Sequence, residues 1–125
     1  MENETSIAGL SYLFACDILR LNRALVDRKK FELSKQLLRC GTSIGANVEE
    51  ASVAQSKRDF ITKMSIASKE ARETRYWLKL LKSENIGTLD YTPYLVKIEQ
   101  IVKVLTRIVK TAQENERNAI RAGVK

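Results

Sequence analysis

Apolar residues recur along this chain at alternating steps of three and four, the spacing that gathers one side of an α-helix. Four runs carry the pattern. The first shows Ile7, Leu10, Phe14, Ile18, Leu21 and Leu25, and the second Leu33, Leu37, Ile44, Val48 and Ala51. Phe60, Met64, Ala67, Ala71, Thr74, Leu78 and Leu81 form the third, and Leu95, Ile98, Val102, Leu105, Val109 and Ala112 the fourth. Polar breaks separate them. Asp27-Arg28-Lys29-Lys30 is one, and Ser56-Lys57-Arg58-Asp59 has the Ser-x-x-Asp form of a capping box. Asn85-Ile86-Gly87-Thr88 reads as a Gly stop, and Thr92-Pro93 as an N-cap followed by the first helical position. The pattern predicts helices near 5–29, 32–55, 57–85 and 91–116, then a frayed basic tail. No Gly-rich or Pro-rich linker interrupts the chain, so residues 1–125 read as one domain. Stripes of this kind pack at about 20° to one another, and short loops make neighbours antiparallel. The expected fold is all-α, an up-down-up-down four-helix bundle.

Two helices carry more apolar surface than one core requires. Ile66, Trp77 and Leu80, with Tyr76 at their edge, stand roughly 100–150° round the third helix from its main stripe. The fourth widens through Ile101, Val104 and Ile108. Self-association would cover such a surface, and a wide core rimmed by Trp77 would also account for it. In the second helix Gly41 and Gly45 each cost about 1 kcal/mol relative to Ala. Close approach of a neighbouring helix offsets that cost. They are no phosphate-binding loop, since no GK[ST] ending follows and no strand precedes them.

Composition narrows the chemistry. With no histidine, imidazole-based triads, acid–base catalysis and metal sites are excluded. Cys16 and Cys40 make no CxxC pair and are too few for zinc; they read as small apolar residues of a reduced compartment, with a disulfide left open. A di-iron bundle would need Glu-x-x-His twice. The carboxylates Glu49, Glu50, Glu70 and Glu73 read as partners of basic neighbours, with Lys69 placed to reach Glu73 at i,i+4. Asp17, at the margin of the first apolar face, calls for a cationic or hydrogen-bonding partner. The expectation is a protein without catalytic residues, metal or cofactor. No run approaches the roughly 20 apolar residues of a membrane span, and the acidic start Met1-Glu2-Asn3-Glu4 is no signal peptide, so the cytoplasm is the expected location.

Charge adds a direction. Of the net +7, residues 1–62 hold +1 and residues 63–125 hold +6. Lys103, Arg107, Lys110, Arg117 and Arg121 fall within about 80° on the fourth helix, a ridge about 27 Å long. Such a ridge suits the phosphates of RNA or DNA, and it equally suits a solvated helix face or an acidic protein. No aromatic residue interleaves with it and no base-reading motif accompanies it, so backbone contact through charge is what it could make.

Two stretches are more specific. Ser43-Ile44-Gly45-Ala46-Asn47-Val48-Glu49-Glu50-Ala51, and the run from Phe60 through Lys69-Glu70-Ala71-Arg72-Glu73-Thr74-Arg75-Tyr76-Trp77 to Leu81, resemble a bacterial four-helix-bundle family encoded in intervening sequences of 23S rRNA genes, sometimes labelled a ribosomal protein. Ser34-Lys35-Gln36-Leu37-Leu38-Arg39 fits as well, and the resemblance spans residues 7 to about 112. It implies an antiparallel bundle that assembles into a ring, a homopentamer, and no catalytic residues. The family is similar in fold to the accessory variability proteins of diversity-generating retroelements, basic pentamers that associate with RNA or DNA and a reverse transcriptase. Ser43, Gly45, Asn47, Glu50, Lys69, Glu70, Glu73 and Trp77 match motif positions, which implies packing or subunit contact. Two functions follow as expectations. One is an oligomer held on RNA or DNA by charge; the other is a scaffold for an acidic protein partner such as a reverse transcriptase.

Overall fold

Ser6 accepts a hydrogen bond from the Gly9 backbone at 3.0 Å and so starts the first helix by capping a free N–H. A computed structural model describes residues 6–123; Met1–Thr5, Val124 and Lys125 lie outside the described residues, and with them the expected helix start at residue 5 and the acidic N-terminus. Helix α1 runs Ile7–Asp27, α2 Phe31–Ala51, α3 Lys57–Ser83 and α4 Thr92–Arg121, with a short 3₁₀ turn at Ile86–Thr88. Among the described residues there is no strand. Packing joins α1 to α2, α2 to α3, α3 to α4 and, most lightly, α4 back to α1. This is the expected all-α, up-down-up-down bundle.

The stripes read from sequence form its core. Phe14, Ile18, Leu25, Leu37, Ile44, Ala71, Leu78, Ile98 and Leu105 are all buried in one apolar cluster. Each large aliphatic or aromatic side chain removed from water there contributes about 1.5–3 kcal/mol. Ile101 is buried and Ile108 packs against the same cluster, so much of the surplus on α4 is spent inside the chain, between α1 and α3.

The boundaries differ from the pattern at four points. Ser52–Ser56 turns instead of prolonging α2, because Ser56 accepts from the Asp59 backbone and commits that stretch to capping α3. Helix α3 is terminated by Asn85, which enters the left-handed region (φ 48°) two residues ahead of Gly87 (φ 70°); an Asn tolerates that region, and its N–H reaches Lys82 O. Thr92 is the first helical residue of α4 instead of its cap, and its N–H is met by Asp90 Oδ1 at 3.0 Å. At the far end α4 stays helical through Arg121 instead of fraying after 116, because Arg58, Ile61 and Thr62 at the start of α3 give Glu116 and Ile120 a surface. The two loops at the opposite end are tied together. Arg28 Nε donates to Gly87 O at 2.8 Å, and Tyr91 Oη donates to Ile86 O at 2.6 Å.

The two α2 glycines do different work. A Cβ on Gly41 would lie 2.9 Å from Ile18 Cγ1, inside the core, where the β-branched neighbour has no room to retreat. At Gly45 the nearest atom would be Ser11 O at 3.4 Å, an ordinary contact. Gly41→Ala is therefore expected to destabilise the fold by about 1–3 kcal/mol despite the better helix propensity. Gly45→Ala should be neutral or stabilising by up to about 1 kcal/mol. Urea unfolding of both variants checks this, and equal effects would contradict the close-approach account of Gly41.

Candidate nucleic-acid interface

The positive charge gathers where α3 and α4 run side by side. Ridge residues Lys103, Arg107, Lys110, Arg117 and Arg121 are all exposed, and none forms an ion pair among the described residues. Neighbouring bonds orient α4. Thr106 accepts from Arg72 of α3 at 2.9 Å, and Glu99 from Arg75 at 3.1 Å, whereas Lys97 meets Asp17 of α1 at 2.6 Å. Lys103, Lys110, Arg117 and Arg121 therefore lean toward α3, and Arg107 stands on the far edge. Glu114 lies in the middle of the same line, a negative charge the ridge does not escape.

The seam is broader than one helix. Arg72 and Lys79 stand one heptad apart on the α4 side of α3, and Lys79 and Lys82 line a groove of about 410 Å³ with Leu95 and Glu99. These cations were not singled out along the chain. Their signal was the seven-residue step from Arg72 to Lys79, masked by Arg75, which Glu99 neutralises.

The motif residues gather on another side, between α2 and α3. Arg39 of α2 meets both Glu70 and Glu73 of α3, and Trp77 Nε1 donates to Glu73 Oε2 at 3.2 Å. Lys69 does not take Glu73 as its partner: Arg39 reaches across the helix pair to both carboxylates, and Lys69 is left exposed. Desolvation works against the Arg39 charge, and Glu73 and Glu70 outweigh it, holding the guanidinium above its usual value. Glu50 pairs with Lys63 at 2.8 Å. Ser43 and Asn47 bond within α2, to Arg39 O and Ser43 O, on the same side of the helix as Arg39. Gly45 faces α1 instead. On the outer side of α3, Tyr76 is 58% exposed and Ile66 and Leu80 about a third (37% and 38%); Trp77 is half-buried against the core with its ring edge on Tyr76.

Among the described residues no three His, Cys, Asp or Glu side chains lie close enough to hold a metal, and no helix is long and apolar enough to cross a membrane. Asp17, expected to have a cationic or hydrogen-bonding partner, has two cations, Lys97 and Arg20. Cys16 and Cys40 are free.

Residues 3–107 match the 23S rRNA-intervening sequence protein family. The chain belongs to that family. A solved structure from Bacteroides thetaiotaomicron, described as a protein with unknown function from the S23 ribosomal protein family, is 44% identical. It covers 84% of this chain and 99% of its own, with a TM-score of 0.79. No curated protein matches. Neither the 23S rRNA-intervening sequence family nor this relative is known as an enzyme. The family match ends at Arg107, so Lys110, Arg117 and Arg121 lie beyond the matched segment.

Burial raises the Cys40 thiol above the ordinary cysteine range, opposed in part by Thr74. Since the thiolate is the reactive form, Cys40 in a Cys16→Ser variant should resist iodoacetamide at pH 8 and react only on unfolding. Mass spectrometry of the labelled chain reads this, and labelling at the free-thiol rate would contradict the buried site.

Proposed function

We propose that this protein is a non-catalytic, self-assembling cytoplasmic bundle that holds RNA or DNA by charge along its α3–α4 face. One observation carries the reading: five exposed cations on α4 form no ion pair among the described residues, and Arg72, Lys79 and Lys82 of α3 extend the same seam toward the start of α4. Long side chains already engaged by carboxylates would have to give up those bonds to meet phosphates; these need give up only water. Without aromatic side chains among the cations, binding is to the backbone and indifferent to sequence. Self-assembly rests on the exposed outer side of α3, where Ile66, Tyr76 and Leu80 leave apolar surface uncovered, and on the ring of five that the family resemblance implies.

Fluorescence anisotropy with a labelled RNA and a labelled duplex, each at two salt concentrations, tests the reading. The Lys103, Arg107 and Lys110 to Gln triple variant should bind all sequences more weakly and flatten the log K against log salt slope by about 2–3. Glu114→Gln should bind more tightly than the parent. No binding at low salt, or an unchanged slope in the triple variant, would overturn the proposal and favour an acidic protein as the partner.

A further inference from the structure

Helix α1 also carries a second apolar line. Tyr12, Leu19 and Val26 recur at steps of seven and are 60%, 44% and 40% exposed, although α1 has already buried Phe14, Ile18, Leu21 and Leu25 in the core. Cys16 and Arg23 complete the line at alternating steps of four and three, as in a helix-pairing seam. It lies on the α2 side of α1. There the approach at Gly45 leaves a trough of about 390 Å³ beside Tyr12, and Phe31 and Leu38 extend the apolar surface onto α2.

We propose that this α1 line docks on the outer face of α3 in a second copy of the chain, against Ile66, Trp77 and Leu80. The inference rests on the self-assembly just proposed and names the other half of its interface. Three observations select that occupant. The first is spacing: Ile66, Glu70, Glu73, Trp77 and Leu80 repeat the same four-three-four-three steps as Tyr12, Cys16, Leu19, Arg23 and Val26.

The second is height along the bundle. Ile18 stands level with Gly41, and the pairs Arg39–Glu73 and Glu50–Lys63 set Gly41 level with the Ala71 region of α3. Tyr12 is thus level with Ile66, Leu19 with Glu73 and Val26 with Leu80, to within about one helical turn. Helices α1 and α3 run in the same direction, so a rotation about the bundle axis brings one line onto the other with little sliding. A contact made by rotation without translation closes into a ring, whereas a sliding one grows a filament.

The third is charge. Among the described residues Glu70 and Glu73 share one cation, Arg39, and Arg23 has no ion pair. Docked at equal height, the Arg23 guanidinium comes level with Trp77, next to Glu73, where a cation suits both the carboxylate and the indole face. Lys69 stays at the outer margin, toward solvent.

The direction of the two faces also fits closure. One lies on the α1–α2 side and the other on the α2–α3 side, about 90° apart in a square bundle, in the range of the interior angles of small closed rings, about 90° for four subunits and about 108° for five. In that ring α2 faces the bore, and α4 with its cations faces outward.

Sedimentation velocity at micromolar concentration, with circular dichroism as the control for folding, tests the inference. A Leu19→Gln/Val26→Gln variant and an Ile66→Gln/Leu80→Gln variant are each expected to keep their helix content and lose every species above monomer. Mixed together they should form a dimer and stop there, because each supplies the one intact face the other lacks. Cys16, half-buried in the single chain, should be slow to alkylate in the parent assembly and fast in the α1 variant. A parent that assembles while the α1 variant keeps its size would overturn the assignment and leave self-assembly standing. Loss of assembly in the α1 variant alone, with no mixed dimer, would replace the α1-to-α3 contact by an α1-to-α1 one. A monomeric parent would end both readings.

Discussion

Four helices around one core can each bury a single stripe, and the character of this protein is set by what that constraint leaves outside. Helices α1 and α3 use their first stripes fully: Phe14, Ile18, Ala71 and Leu78 are sealed from water. Their second lines, through Leu19 on α1 and Leu80 on α3, have nowhere to go within one chain. Helix α4 behaves differently. Its surplus Ile101 and Ile108 still find α1 or α3, and its outer face is left to Lys and Arg. The bundle is therefore apolar on two sides and basic on a third.

Periodicity made the fold legible because it needs only one helix at a time. The core positions of all four runs follow from a period of 3.6, and so does the surplus on α3. What depends on which helix meets which, and at what height, was hidden. Lys69 and Glu73 are neighbours along α3, yet Glu73 answers to Arg39 because α2 packs on that side, a fact no single-helix wheel contains. The cations of α3 escaped for the same reason: Arg72 and Lys79 acquire meaning only when α4 is beside them. The α1 line was legible in principle. Its step of seven is as regular as that of the core, but one buried stripe already satisfies the helix in a bundle, so a second line on the same helix has no partner within one chain.

Helix ends show a related limit. Gly87 looked like the terminator of α3 because glycine is the usual left-handed residue, but Asn85 takes that conformation two residues earlier. Chain composition identifies where a helix stops to within a turn; which residue adopts the unusual backbone depends on the tertiary ties, here the Arg28 bond to Gly87 O and the Tyr91 bond to Ile86 O.

In the proposed ring the basic faces do not merge into one field. Helices in contact lie about 8–10 Å apart, so a bundle two helices wide separates neighbouring ridges by roughly 20 Å or more. That exceeds the screening length of about 8 Å at physiological ionic strength. Under the proposed reading each ridge would attract phosphates on its own, and the repeat would act by linkage: a strand long enough to leave one α4 and reach the next would rebind at a high effective concentration, where a short one would dissociate. Modest charge per subunit, including the Glu114 that interrupts it, is consistent with such a design. A surface that held a long polyanion at several points would have no need of a strong single site.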